Sequence, residues 1–99
     1  MSKSTEKQLL VDKIVEAIQD TKGEDIQIFD LSSIENSVAE TFVICSGNSN
    51  TQVASIAGNI EKKVRNELKE RPWHVEGTEN SMWVLVDYVS VVVHIFQKQ

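Results

Sequence analysis

Thr41-Phe-Val-Ile-Cys-Ser-Gly-Asn-Ser-Asn50 is the stretch on which the fold turns. Its first six residues form a continuous run rich in β-formers, the composition expected of a central strand covered on both faces. Ser46-Gly47-Asn48-Ser49-Asn50 then breaks the strand. Ser49, with Gln52 three residues on, offers a capping box for a helix that begins at that point. Val53, Ile56, Ala57, Ile60, Val64 and Leu68 follow at helical spacing and mark a buried stripe, while Glu61, Lys62, Lys63 and Lys69 cover the wet side. Pro72, which lacks a backbone donor, ends this helix. Gly58 inside it costs about 1 kcal/mol relative to Ala, so a close approach by the sheet or a partner is expected there.

Upstream, residues 5–22 place Leu10, Ile14, Ala17 and Ile18 on one helical stripe that Val11 and Val15 widen. Thr5 and Gln8 suit a capping box, and Gly23 a left-handed stop. Residues 25–31 alternate as a strand, with Ile26 and Ile28 on one face and Phe29 and Leu31 on the other. The polar, turn-rich segment 32–40 is the expected mobile loop. Downstream, strands are expected over residues 73–76, 82–87 and 91–96, the last two pairing as an antiparallel hairpin. If the strands at 41–46 and 73–76 are parallel neighbours, the helix between them is a right-handed crossover. The expectation is one α/β (α+β) domain over residues 1–99, with a central mixed sheet of about five strands flanked by helices.

Length and composition set outer bounds. The 99 residues, 40% of them hydrophobic, suffice for one core. A domain of this size has a stability margin of about 5 to 10 kcal/mol. No apolar run approaches the roughly 18 to 20 residues of a membrane span, and the N-terminus has neither signal nor transit character, so a cytoplasmic protein is expected. The single Cys45, within an apolar strand, reads as a small buried hydrophobe. Ten Lys and Arg against fifteen Asp and Glu leave a net charge of -5, with the basic residues scattered along the chain. Little direct nucleic-acid affinity is expected from that balance, and a basic protein is the favoured partner.

Several chemistries can be tested against the residues. A strand ending in Ser-Gly and entering a helix is how nucleotidyltransferases hold a triphosphate, but the two-metal reaction also needs an acidic pair on the next strand. That strand reads Trp73-His74-Val75-Glu76, and the one after it offers only Asp87, so the catalytic pattern is broken. His74 and His94 lack metal-ligand spacing, and no metal or cofactor is expected. A Ser46, His94 and Asp87 assembly has no more support than chance, and no Gly-x-Ser-x-Gly elbow is present. Trp83 shares a strand face with Leu85 and Asp87 by period two, which suits either an interface anchor or packing beneath a helix.

Three segments together resemble the Iojap family of ribosomal silencing factors: Thr41 to Asn50, His74-Val-Glu-Gly77, and Trp83-Val-Leu-Val-Asp-Tyr88 with Val91-Val-Val-His-Ile-Phe96. With the opening helix and first strand, the resemblance covers nearly the whole chain. It implies a nucleotidyltransferase-like fold without catalytic residues, and a non-enzymatic translational repressor. Such a protein binds the large ribosomal subunit through ribosomal protein uL14, blocks joining of the small subunit, and can form homodimers. The alternatives are a nucleotide-binding or nucleotidyltransferase-like enzyme and a homodimeric assembly module. The resemblance favours the interface role for Trp83, and the expected partner-binding residues are Trp83, Asp87, Tyr88, Glu76, Gly77, Ser49 and Asn50. Tyr88 is expected to be exposed at its turn, Glu76 and Gly77 to form either a rim or a simple turn, and Ser49 and Asn50 to favour helix capping over partner contact. Two departures stand out. The family usually writes Asp-Tyr-Gly-Asp where this chain has Asp87-Tyr88-Val89-Ser90, and it usually carries a tail beyond the last strand, whereas this sequence stops at Gln99.

Overall fold

Apolar residues three and four apart build two helices, and alternating residues build five strands. The structure, a computed structural model, describes residues 3–37 and 39–98, with the backbone alone for residues 3–5. The order is α1 (Lys3–Asp20), β1 (Glu24–Asp30), β2 (Thr41–Gly47), α2 (Asn50–Leu68), β3 (His74–Glu76), β4 (Trp83–Asp87) and β5 (Val91–Gln97). The strands form one mixed sheet in the order β1-β2-β5-β4-β3. β2 and β5 run parallel, and the other neighbours, including the β4–β5 hairpin, are antiparallel.

The pairing of β2 with β5 corrects one expectation. β3 is not a neighbour of β2; it lies at the far edge of the sheet, beyond β5 and β4. Burial explains the choice. β2 and β5 are the two long apolar strands, and side by side at the centre they shelter the most apolar surface, whereas β3 has three residues and one apolar side chain. The crossover that begins with α2 is therefore completed only at β5.

A second correction concerns coverage. Both helices pack on the same face of the sheet. Ile14, Ile18, Ile56, Ile60 and Val64 meet Val43, Cys45, Val84, Val86, Val91, Val93 and Ile95 in one core. Alternate residues of β2 are fully buried and the residues between them only half-buried, so the strand is covered on one face. On the outer surface of the helix layer two ion pairs bridge the helices: Lys13 of α1 meets Glu67 of α2 at 2.9 Å, and Lys63 of α2 meets Asp20 of α1 at 3.5 Å.

The helix ends follow the expected chemistry with shifts of position. Ser49 caps α2, its hydroxyl accepting from Gln52 N at 3.1 Å. The Gln52 amide accepts from Asn48 N at 2.6 Å and donates to the carbonyls of Thr21 and Lys22, fastening the start of α2 to the end of α1. At the end of α1 the left-handed residue is Lys22 rather than Gly23. Gly23 is needed for space instead, because a Cβ there would lie 2.3 Å from Ile18 Cγ2. α2 stops at a left-handed Lys69, three residues before Pro72. The Thr5 side chain lies outside the described residues, and α1 is helical from Lys3. Loop 31–40 is pinned at its base by Leu31 N donating to Glu40 O at 2.7 Å and Glu40 N donating to Ser90 O at 2.9 Å.

Two residues break local rules. Gly58 has nothing within 4 Å of where a Cβ would sit, so no close approach accounts for it. Val89, between β4 and β5, has φ +75°, while Ser90 N donates to Tyr88 O at 3.0 Å. That pair of features describes the rare, strained hand of the γ-turn, at a β-branched residue.

Two stability predictions follow from these residues. Val89→Gly relieves strain of about 1 to 2 kcal/mol against a smaller entropy cost, and a net gain of about 1 kcal/mol raises the melting temperature by roughly 5 °C. Gly58→Ala adds about 1 kcal/mol of helix propensity on an exposed face. Thermal and urea unfolding check both, and a fall in stability for either variant contradicts the account given of that residue.

Candidate functional site

With both helices on one side, strand alternation carries every second residue to the other, uncovered face. The register sets them in three rows. Phe29, Phe42, Val92, Asp87 and His74 form the first row, and Gln27, Ile44, His94, Leu85 and Glu76 the second. Ser46, Phe96 and Trp83 form the third.

Aromatic rings dominate the middle of this face. Trp83 and Phe96, a cross-strand pair, stack at 5.9 Å between centroids and 12° between planes. His94 lies nearly parallel to both, at 6.1 and 6.4 Å, and Phe42 tilts against it at 5.0 Å. Trp83, Phe96 and Phe29 remain 44%, 42% and 43% exposed. A contiguous apolar surface of this kind on a small domain marks a place where something docks. The alternative for Trp83, packing beneath a helix, is thereby removed: the helices lie on the opposite face.

The polar residues around the rings have assigned tasks. Asp87 Oδ1 accepts from Val89 N at 2.7 Å, which ties this carboxylate to the hairpin turn. Glu76 and His74 bond each other at 2.7 Å on the exposed edge strand. Gly77 sits at φ +86°, and a Cβ there would lie 1.9 Å from Trp83 O, so only glycine lets the 77–82 loop close over the start of β4. Glu76 thus ends the edge strand of the open face, and Gly77 begins the turn beside it.

Tyr88 does not join this face. Asp87 points to the open side, so the next residue points to the helices, and Tyr88 is buried in the core at 8% exposure. The expectation of an exposed Tyr88 ignored that parity. Burial, followed by the charges of Glu61 and Glu70, pushes its phenol well above the ordinary value, and its hydroxyl has no hydrogen-bond partner among the described residues. Ser49 is spent on the α2 cap, and Asn50 stands exposed on the first turn of α2, in the helix layer. Of the seven expected contact residues, the open face gathers Trp83, Asp87 and Glu76, with Gly77 at its edge. Phe29, Phe42, His94 and Phe96 were not singled out from sequence. Their signal is the same period-two alternation, applied across paired strands.

The remaining chemistries can now be located. Ser46 Oγ donates to Glu24 O at 3.3 Å and to Asp25 Oδ2 at 3.1 Å, and Asp87 is held by the turn, so no hydrogen bond links Ser46, His94 and Asp87. In the Ser46 to Asn50 turn, Asn48 N is taken by Gln52, and Ser49 Oγ takes Gln52 N. Cys45 is buried and its thiol pushed up to about 12 by that burial. Among the described residues no cluster of three or more His, Cys, Asp or Glu could hold a metal ion, and no helix is long and apolar enough to cross a membrane.

Comparison with known proteins gives a consistent result. Residues 3–99 match a family model described as "Ribosomal silencing factor during starvation". A relative from Halalkalibacterium halodurans, named ribosomal silencing factor RsfS, is 40% identical over 91 residues, covering 92% of this chain and 76% of its own. One from Bacillus subtilis, of the same name, is 41% identical over 83 residues, covering 83% and 68%. A crystal structure of a Chromobacterium violaceum protein superposes with a TM-score of 0.83 at 34% identity, covering 91% of this chain and 73% of that one. A crystal structure from Bacillus halodurans gives a TM-score of 0.82 at 38% identity, covering 93% and 84%.

Burial among the rings holds the imidazole of His94 below its free value of 6.5. The unfolded chain takes up that proton more readily than the folded one, so stability is complete above about pH 6.5 and declines as pH falls through it. The midpoint of urea unfolding is therefore expected to drop between pH 7 and pH 5.5. His94→Phe removes that part of the slope, and an unchanged slope in the variant would reject His94 as its source.

Proposed function

Because this chain belongs to the family of ribosomal silencing factors, we propose that it represses translation by binding the large ribosomal subunit and sterically blocking the small one. It docks through its open sheet face onto ribosomal protein uL14, acts in the cytoplasm, and turns over no substrate. The observation that carries this reading is the uncovered face itself: stacked Trp83 and Phe96 at its middle, flanked by Phe29 and Phe42, with carboxylates at Asp87 and Glu76 beside them. Aromatic anchors supply contact area in a desolvated centre, while an acidic rim suits a basic protein and speeds its encounter. The net charge of -5 acts in the same direction. The face is built on strands rather than loops, so its rings are held in place before binding. Steric exclusion asks nothing more of the protein than bulk held in one orientation, which fits a site with no linked catalytic groups.

Sucrose-gradient fractionation of ribosomal subunits with added protein tests the reading. The protein is expected to co-migrate with the large subunit and to reduce joined ribosomes. Trp83→Ala should weaken pull-down of isolated uL14 by about 30-fold or more, the mark of an interface anchor. Asp87→Asn keeps the oxygen that holds the hairpin and removes the charge, so it should weaken binding modestly and flatten its salt dependence. A folded Trp83→Ala variant that binds like wild type, or a protein that stays at the top of the gradient while subunits join freely, would sink the proposal.

A further inference from the structure

The only two arginines of this acidic chain, Arg65 and Arg71, line one cavity of about 480 Å³ together with Pro72, Trp73, His74 and Val75. It opens at the lateral edge of the fold, between the last turns of α2 and the edge strand β3. Trp73 there is 75% exposed, the most exposed large hydrophobic side chain of the described residues, and its ring sits 5.9 Å from that of His74. Its backbone is nonetheless fixed, since Trp73 N donates to Asp87 O at 2.7 Å. A fixed backbone thus holds its indole out in water. Among the described residues, the cations that form ion pairs are Lys13, Lys63 and Lys98, with His74 against Glu76, and neither arginine is one of them.

Ordinary structural duties do not account for this cluster. Arg65 in the last turn of α2 complements the helix dipole, but Arg71 lies beyond the helix end and Trp73 buries little. Two planar guanidinium groups beside an exposed indole match one particular chemistry. The guanidinium forks fit phosphate oxygens, and the indole offers a stacking platform for an unpaired base. An acidic peptide would meet the charges but would leave the indole idle.

We propose that the Arg65–Arg71–Trp73 cavity is a contact site for single-stranded RNA, taking one or two backbone phosphates with a base stacked on Trp73. Its identification with ribosomal RNA beside the docking protein rests on the function proposed above; the RNA chemistry does not. The net charge of -5 keeps such a contact weak in isolation, with a dissociation constant of roughly 10⁻⁴ M at low salt. Glu61, which also lines the cavity, opposes it. On the subunit the contact adds to docking through the open face, because β3 borders both surfaces and one approach engages the two together.

Titration of the isotope-labelled full chain with a uridine-rich RNA hexanucleotide, followed by NMR, tests this directly. The Trp73 indole and the side-chain signals of Arg65 and Arg71 are expected to move, while the Trp83 indole stays still. Arg65→Gln with Arg71→Gln should weaken binding at least tenfold and lower the salt slope by between one and two. Trp73→Ala should weaken it about tenfold, and Glu61→Gln should strengthen it a few-fold. All four side chains lie on the surface, and melting temperatures within a few degrees of wild type confirm that the variants fold. No shift at millimolar RNA, shifts confined to the Trp83 face, or equal affinity for a polyglutamate peptide would overturn the proposal. On large subunits the double arginine variant should bind about tenfold more weakly while its pull-down of isolated uL14 is unchanged. Equal loss in both assays would overturn the proposal, and failure of wild type to bind subunits would remove the ribosomal identification while the oligonucleotide result still decides the site.

Discussion

Everything in this molecule depends on two helices and one sheet having matching widths. Five strands spaced about 4.8 Å apart span roughly 19 Å, and two helices packed side by side at 8 to 10 Å cover about the same distance. The apolar stripes of α1 and α2 are therefore consumed on one face, by Val43, Cys45, Val84, Val86, Val93 and Ile95. No helix of the described residues remains for the other face. The chain must either make that face polar or leave apolar groups for something else to cover, and it places Phe29, Phe42, Ile44, Trp83, Leu85 and Phe96 there.

Strand alternation then does the work that a binding pocket does in an enzyme. Trp83 and Phe96 stand opposite each other because β4 and β5 pair antiparallel, and His94 joins them from the next row. The rings of adjacent strands shelter one another, which keeps them rigid and lessens the cost of exposing them to water. His94 shows how far that sheltering goes, since its Nε2 is buried without a hydrogen-bond partner among the described residues and burial holds its ring below the free value. A face assembled in this way suits a protein whose effect comes from occupying a position.

Much of the architecture was legible in the residues, and the parts that were not have a common cause. Both helix stripes, the Ser49 cap and the β4–β5 hairpin follow from local periodicity and local chemistry, and all stand where the spacing places them. Strand pairing is a long-range property, so β2 reads as covered on both faces until its neighbours and the side taken by α2 are known. The same gap hid Phe42, His94 and Phe96, whose alignment with Trp83 exists only through the register of three strands. Tyr88 is a different case: one step past Asp87 in a period-two strand decides its side, and that parity outweighs its place at the turn. Arg65 and Arg71 look scattered along the chain, yet the end of α2 and the return into β3 bring them to one cavity.

The hairpin between β4 and β5 concentrates the departures from local rules. Val89 holds a backbone conformation that suits glycine, Tyr88 buries a hydroxyl without a partner among the described residues, and Asp87 spends one carboxylate oxygen on the turn. The first two features work against stability while the Asp87 contact steadies the turn, and the three are consecutive residues bordering the aromatic face. Strain of this kind persists only where the surroundings hold it, here the ladder of β4 and β5 and the packing of Tyr88 against the helices. The Asp87 contact couples the two surfaces of the sheet, because the oxygen that steadies the strained turn belongs to the carboxylate nearest the first row of the docking face. Only Oδ1 is committed to the turn, so the other carboxylate oxygen can meet a partner's cation while the Val89 contact stays in place.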